Sequence, residues 1–75
     1  MPKAKVTLFK PSGKFYTDEE WEIPTPEEIV ERGGDRGDQF APNAAMRYSK
    51  DFRRISGGAV LIESQEPWGY PGLIP

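Results

Sequence analysis

The sequence predicts a small α+β domain, and three observations support that prediction. Residues 3–9 and 15–23 alternate between apolar and polar side chains with the two-residue period of half-buried strands. Residues 26–32 carry the start and stop signals of a helix. The chain has 75 residues, and a chain of this length buries only about 60 % of the surface that its unfolded form exposes. We therefore expect one core and a single domain.

The first two strands are predicted to form a β-hairpin. Residues 11–13 read Pro-Ser-Gly, which is a turn sequence, because proline fixes φ and glycine accepts a positive φ. A four-residue loop would pair Leu8 with Phe15 on the apolar face. A three-residue loop would instead place Val6 opposite Asp18 and spoil that face, so the first register is favoured.

The helix at residues 26–32 has the most specific local signal in the chain. Thr25 is a capping residue, Pro26 suits the first helical position, and Glu28 follows Thr25 by three residues, which completes a capping box. Gly33 then ends the helix. Two turns are not stable alone, so the helix is expected to pack on the sheet.

The remaining elements follow from composition. Residues 33–45 have no periodicity and are predicted to form a loop. Residues 59–64 begin with branched side chains that are apolar on both faces, which predicts a third, central strand. Residues 65–75 contain prolines spaced around two aromatic residues, which predicts an irregular, extended C-terminal segment outside the sheet ladder.

Charge is segregated along the chain. Residues 1–14 carry four lysines and no acid, whereas residues 15–31 carry seven acids and no base. We expect the two stretches to lie side by side and to neutralise each other, since segments joined by a turn normally pair. An acidic face that docks a basic partner is the alternative.

Composition excludes most catalytic chemistry. The chain has no Cys and no His, which removes disulfides, Cys/His zinc sites and thiol nucleophiles. Its paired carboxylates are adjacent in sequence and do not converge as an acid and a base must. We therefore expect a protein that is not an enzyme, with no catalytic residue, cofactor or metal. The longest apolar run, residues 59–62, is far below the roughly 20 residues of a membrane span, and no signal peptide is recognisable, so a cytoplasmic protein is expected.

Two regions supply candidate binding residues. The first, called the basic island, is residues 46–55, where arginines beside aromatic rings are typical of nucleic-acid binding. The competing interpretation is that its charges pair with carboxylates of the hairpin and helix while its rings turn inward. The basic residues of the island are Arg47, Lys50, Arg53 and Arg54, and its aromatic residues are Tyr48 and Phe52.

The second region is the C-terminal segment. Trp68 and Tyr70 either cover the sheet or present an aromatic surface to a partner. The candidate partner-binding residues of the whole chain are therefore Trp68, Tyr70, Tyr48, Arg53 and Arg54.

A family resemblance rests on three stretches of the C-terminal half: Asp51-Phe52-Arg53-Arg54-Ile55, Gly57-Gly58 and Gln65-Glu66-Pro67-Trp68-Gly69-Tyr70-Pro71. Together they resemble small uncharacterised proteins encoded by bacteriophages of actinobacteria. The resemblance implies an accessory protein made in a bacterial cytoplasm that binds a host or phage protein, and it assigns no residue a role. A nucleic-acid binder that uses the basic island, and an oligomeric component that pairs through an uncovered strand edge, are the alternatives.

Overall fold

The computed structural model describes residues 3–63 and 72–75, which form an antiparallel sheet with short helical segments. The strand order is β2-β1-β3-β4, and the predicted α+β class is confirmed. The strands are β1 Lys3–Phe9, β2 Phe15–Glu22, β3 Ala59–Ile62 and β4 Gly72–Ile74, the α-helices are α1 Pro26–Glu31 and α2 Pro42–Ala45, and 3₁₀ helices span Arg36–Phe40 and Met46–Tyr48.

One face of the sheet, called the core face, packs against the helical segments. The alternation of β1 buries Ala4, Val6 and Leu8 on this face. Ile29 of α1 is fully buried there. The core consists of Ala4, Val6, Leu8, Trp21, Ile23, Ile29, Ala45, Met46, Val60, Ile62 and Ile74.

The predicted hairpin is present, but the predicted pairing of its two strands is wrong. Lys10 N–H donates to the Lys14 carbonyl at 2.8 Å and Gly13 has φ 85°, so the loop comprises three residues rather than four. The register then shifts by one residue between Leu8 and Phe9, which leaves Tyr16 with no counterpart in β1. This irregularity places Trp21 on the core face, opposite Ala4, and brings Glu19 rather than Asp18 opposite Val6. Phe9, and not Leu8, consequently lies opposite Phe15, which is 58 % exposed.

The predicted capping box of α1 is confirmed. Glu28 N–H donates to Thr25 Oγ1 at 3.2 Å, and Thr25 N–H donates to Glu28 Oε1 at 3.3 Å. The helix ends at Glu31, one residue before the predicted end, and Gly33 follows with φ 96°.

The prediction of a loop without regular structure at 33–45 is wrong. Residues Arg36–Phe40 form a 3₁₀ helix with Asp35 as its N-cap, and Pro42 occupies the first turn of α2. These segments span only five and four residues, too few to show a hydrophobic periodicity in the sequence.

β3 lies inside the sheet as predicted, between β1 and β4. The expectation that residues 65–75 stay outside the ladder is wrong for Gly72–Ile74, which pairs antiparallel with β3. Pro75 follows this three-residue strand, so it removes no hydrogen bond from the ladder.

Candidate functional site: an apolar groove on the outer face of the sheet

The face of the sheet opposite the core face, called the outer face, carries the other half of the strand residues. The strand registers align Asp18 with Thr7, Thr7 with Leu61, and Leu61 with Leu73, which makes one row across all four strands. Leu61 is half-buried and Leu73 is 53 % exposed. Among the described residues, the part of this row on β3 and β4 is therefore apolar and partly open, whereas the part on β1 and β2 is polar.

The outer face changes character along the strands. At one end it is charged, because Lys5 lies opposite Glu20 and its Nζ is 3.9 Å from Glu63 Oε2. Thr7 Oγ1 donates to Asp18 Oδ1 at 2.7 Å. The basic and acidic stretches of the hairpin thus do lie side by side, as the segregation of charge predicted. Towards the β1–β2 turn the polar side chains give way to apolar ones.

The apolar end forms a groove of about 550 Å³. Much of its wall comes from six apolar residues, and Lys10 is the one charged residue among the described lining residues. The apolar lining residues on which the argument depends are Phe9, Pro11, Ala59, Leu61, Leu73 and Pro75.

Two turns hold one end of the groove in place. Gly13 and Gly57 adopt positive φ, 85° and 78°, a conformation that side-chain-bearing residues rarely adopt. A Cβ on Gly57 would lie 3.4 Å from the ring of Pro11, so the two turns are in contact. A Cβ on Gly58 would lie 2.1 Å from the Phe9 carbonyl oxygen, so this close approach of two backbones requires glycine.

The basic island is largely occupied by contacts within the chain. Lys50 Nζ lies 2.9 Å from Glu22 Oε2, and this carboxylate raises the pKa of Lys50. Arg53 forms an ion pair and hydrogen bonds with Glu19, and these hydrogen bonds lower the pKa of the Glu19 carboxyl. Arg47 is exposed. The interpretation that the island pairs with hairpin carboxylates therefore describes Lys50 and Arg53.

Arg54 points to a different place from Arg53. Its guanidinium donates to the carbonyl oxygen of Pro75, the residue that follows β4 and lines the groove. Arg53 instead pairs with the side chain of Glu19 on β2. The two adjacent arginines thus do not form a joint site.

The aromatic residues of the island turn towards the core. Phe52 packs edge-on against Trp21, with ring centroids 5.7 Å apart. Tyr48 is half-buried against the core, and its carbonyl accepts a hydrogen bond from Arg32. Neither ring is free on the surface to stack on a base. Nucleic-acid binding by this island stays a prediction.

The remaining candidates, Trp68 and Tyr70, lie outside the described residues, so their docking role also stays a prediction. Leu61, Leu73 and Phe9 are not among the candidate binding residues predicted from the sequence. The available signal was the run at residues 59–62, where Leu61 is apolar on the face opposite Val60. The same run also predicts a central strand, and a central strand by itself does not indicate a binding surface.

Within residues 3–63 and 72–75, no cluster of three or more acidic, His or Cys side chains is placed to hold a metal ion. No helix in this part of the chain is long and apolar enough to span a membrane. No protein-family model, no curated protein and no solved structure matches the chain significantly.

Proposed function

We propose that this protein is a non-enzymatic binding module that docks an extended apolar segment of a partner protein in the outer-face groove. The observation that supports the proposal is the groove itself, about 550 Å³ with Leu61 and Leu73 in its wall. Concave apolar surface on a small domain marks interaction sites, because leaving it in water is unfavourable. The resemblance to phage accessory proteins suggests that the partner is a host or phage protein in a bacterial cytoplasm.

The charge at the groove favours a partner segment that carries a carboxylate. Lys10 is the single charged residue among the described lining residues, and Lys14 lies next to the same turn. No acidic side chain is present among those lining residues. We therefore expect an extended segment with spaced apolar side chains and an Asp or Glu beside them.

A peptide-display selection on the immobilised protein, followed by affinity measurement for each selected peptide, tests this proposal. We expect the selected peptides to combine apolar residues with a flanking acid. Leu73→Asn should weaken their binding about tenfold or more, because it replaces an exposed apolar side chain in the wall of the groove. Val30→Asn is the matched control, since Val30 is similarly exposed, at 48 %, but lies on α1.

The contribution of charge is tested separately. Lys10→Glu should weaken binding about fivefold, because the partner carboxylate loses an exposed ion pair and meets a like charge. Lys3→Glu makes the same charge change at the far end of β1 and should have little effect. The proposal fails if the Leu73→Asn and Val30→Asn variants bind the selected peptides equally well. It also fails if the selection returns only peptides whose binding is abolished by Arg47→Glu.

A further inference from the structure

The outer edge of β2 offers a second surface, separate from the groove. β2 is an edge strand, at the side of the sheet opposite β4. At its end, Glu22 N–H donates to Asp51 Oδ2 at 2.9 Å, and its carbonyl accepts from Ser49 Oγ at 2.8 Å. Both backbone groups of Glu22 therefore point away from β1, and the turn at residues 49–51 covers them.

The same geometry identifies which backbone groups are left open. In an antiparallel pair, the residues whose N–H and C=O point outward alternate along the strand. Because the backbone N–H and C=O of Glu22 point outward, the backbone groups of Glu20 and Asp18 point outward too. No described residue accepts from the N–H of either one, and the Asp18 carbonyl receives only a 3.3 Å bond from the adjacent Thr17 hydroxyl. A short length of ladder is thus available.

The side chains on this edge determine what can pair with it. Asp18 and Glu20 are exposed and lie two residues apart, so both project from the outer face of the sheet. A second copy of this chain pairing edge to edge would bring carboxylates against carboxylates, which is destabilising. A segment with Lys or Arg at alternate positions would instead place a cation opposite each carboxylate. Phe15 and Tyr16, both more than half exposed, add apolar surface at the start of the strand.

We propose that the edge of β2 accepts an extended basic segment of a partner protein as a fifth strand. Backbone hydrogen bonds to Glu20 and Asp18 supply the pairing, and the alternating cations supply the selectivity. The proposal is independent of the groove, which lies on the side of β1, β3 and β4.

Amide hydrogen exchange with a synthetic probe tests the proposal. The probe is acetyl-Lys-Val-Lys-Val-Lys-amide, and the control is the same peptide N-methylated at every backbone nitrogen, which keeps the charge and removes the donors. We expect the first peptide, near saturation, to slow exchange of the Glu20 amide by about tenfold. The N-methylated peptide should give little protection there. Equal protection by both peptides would overturn the proposal, because charge alone would then account for the binding.

Variants separate the strand edge from other surfaces. Glu20→Pro removes the outward N–H and is tolerable in principle, because an edge strand accepts proline where its N–H faces solvent. It should weaken binding of the unmethylated peptide more than Glu20→Gln, which removes the same charge and keeps the N–H. Leu73→Asn should leave this binding unchanged. Equal effects of the two Glu20 variants would contradict the proposal, and the two peptides remain decisive on the wild-type protein if Glu20→Pro does not fold.

Discussion

The carboxylate of Glu19, on β2, should contribute measurably to the stability of the protein. Its Oε1 accepts from the Nε1 of Trp21 at 2.9 Å, and Trp21 is only 1 % exposed. Arg53 binds the same carboxylate from the surface. Val6 lies opposite Glu19 in β1, on the core face. Glu19 therefore supplies the acceptor that a buried indole requires.

Glu19→Ala leaves the indole N–H of Trp21 without its acceptor. A buried donor left unsatisfied costs about 1–3 kcal/mol, so we expect the free energy of unfolding to fall by that amount, with a further loss from the ion pair with Arg53. This is a large fraction of the total for 75 residues, which is roughly 4–11 kcal/mol at ~0.05–0.15 kcal/mol per residue. Urea unfolding followed by far-ultraviolet circular dichroism measures this loss, because that signal reports mainly on backbone structure.

Two matched variants isolate the indole hydrogen bond. Glu19→Gln keeps an oxygen acceptor for Trp21 and should cost less than Glu19→Ala. Arg53→Met removes only the solvent-exposed cation and should also cost less, because exposed ion pairs contribute little. The reasoning is refuted if Arg53→Met destabilises the protein as much as Glu19→Ala, or if the Gln and Ala variants are equally unstable.

The same contacts predict a pH dependence. Hydrogen bonding from Arg53, and then from Trp21, lowers the pKa of Glu19 below its ordinary value of 4.5. The Glu19 carboxylate therefore binds a proton less readily in the folded protein than in the unfolded chain. Its stabilising contribution is fully present above pH 4.5 and is lost as the pH falls through the lowered pKa. Glu27, whose pKa is lowered by a backbone hydrogen bond and by Arg36, contributes in the same direction. Glu19→Gln should accordingly show a shallower loss of stability below pH 4.5 than the wild type, and an unchanged acid slope would contradict this account.

The remaining predictions concern local structure and use the same unfolding measurement. Thr25→Ala should cost about 1 kcal/mol by removing the N-cap acceptor of α1, whereas Thr25→Ser should cost less, and equal losses would argue against the capping box. Gly58→Ala should cost about 1–3 kcal/mol or more, because its Cβ would meet the Phe9 carbonyl oxygen. Gly34→Ala should also destabilise, since its Cβ would lie 2.7 Å from side-chain atoms of Ile29 and Tyr48. Gly37→Ala should be nearly neutral, because its Cβ would have nothing within 4 Å. A Gly37 variant as unstable as the other two would contradict the packing described.

Local rules were sufficient where neighbouring residues decide the structure. The capping box of Thr25 and Glu28 needs only the spacing of two residues, and the alternation of β1 needs only one buried face. The hairpin register depended on more than the loop. The loop has three residues and ends at Gly13, and the register then shifts by one residue at Tyr16. The apolar periodicity of the two strands does not reveal such a shift.

The candidate site could not be predicted because it depends on pairing between distant segments. Leu61 and Leu73 become neighbours only when Gly72–Ile74 joins the sheet, and the surrounding prolines argued against a strand there. The basic island illustrates the same limit. Pairing of its charges was foreseen as one alternative, but the partner of Arg53, Glu19, lies 34 residues away in sequence and was not identifiable from spacing.

The most direct test of the central claim is a titration of the ¹⁵N-labelled protein with a selected apolar-acidic peptide, followed by heteronuclear NMR. The account predicts that the largest shifts fall on the amides of Phe9, Leu61 and Leu73, and that Leu73→Asn suppresses them. Shifts concentrated instead on the basic island at residues 46–55, with the groove amides unmoved, would contradict the assignment of the outer-face groove as the docking surface.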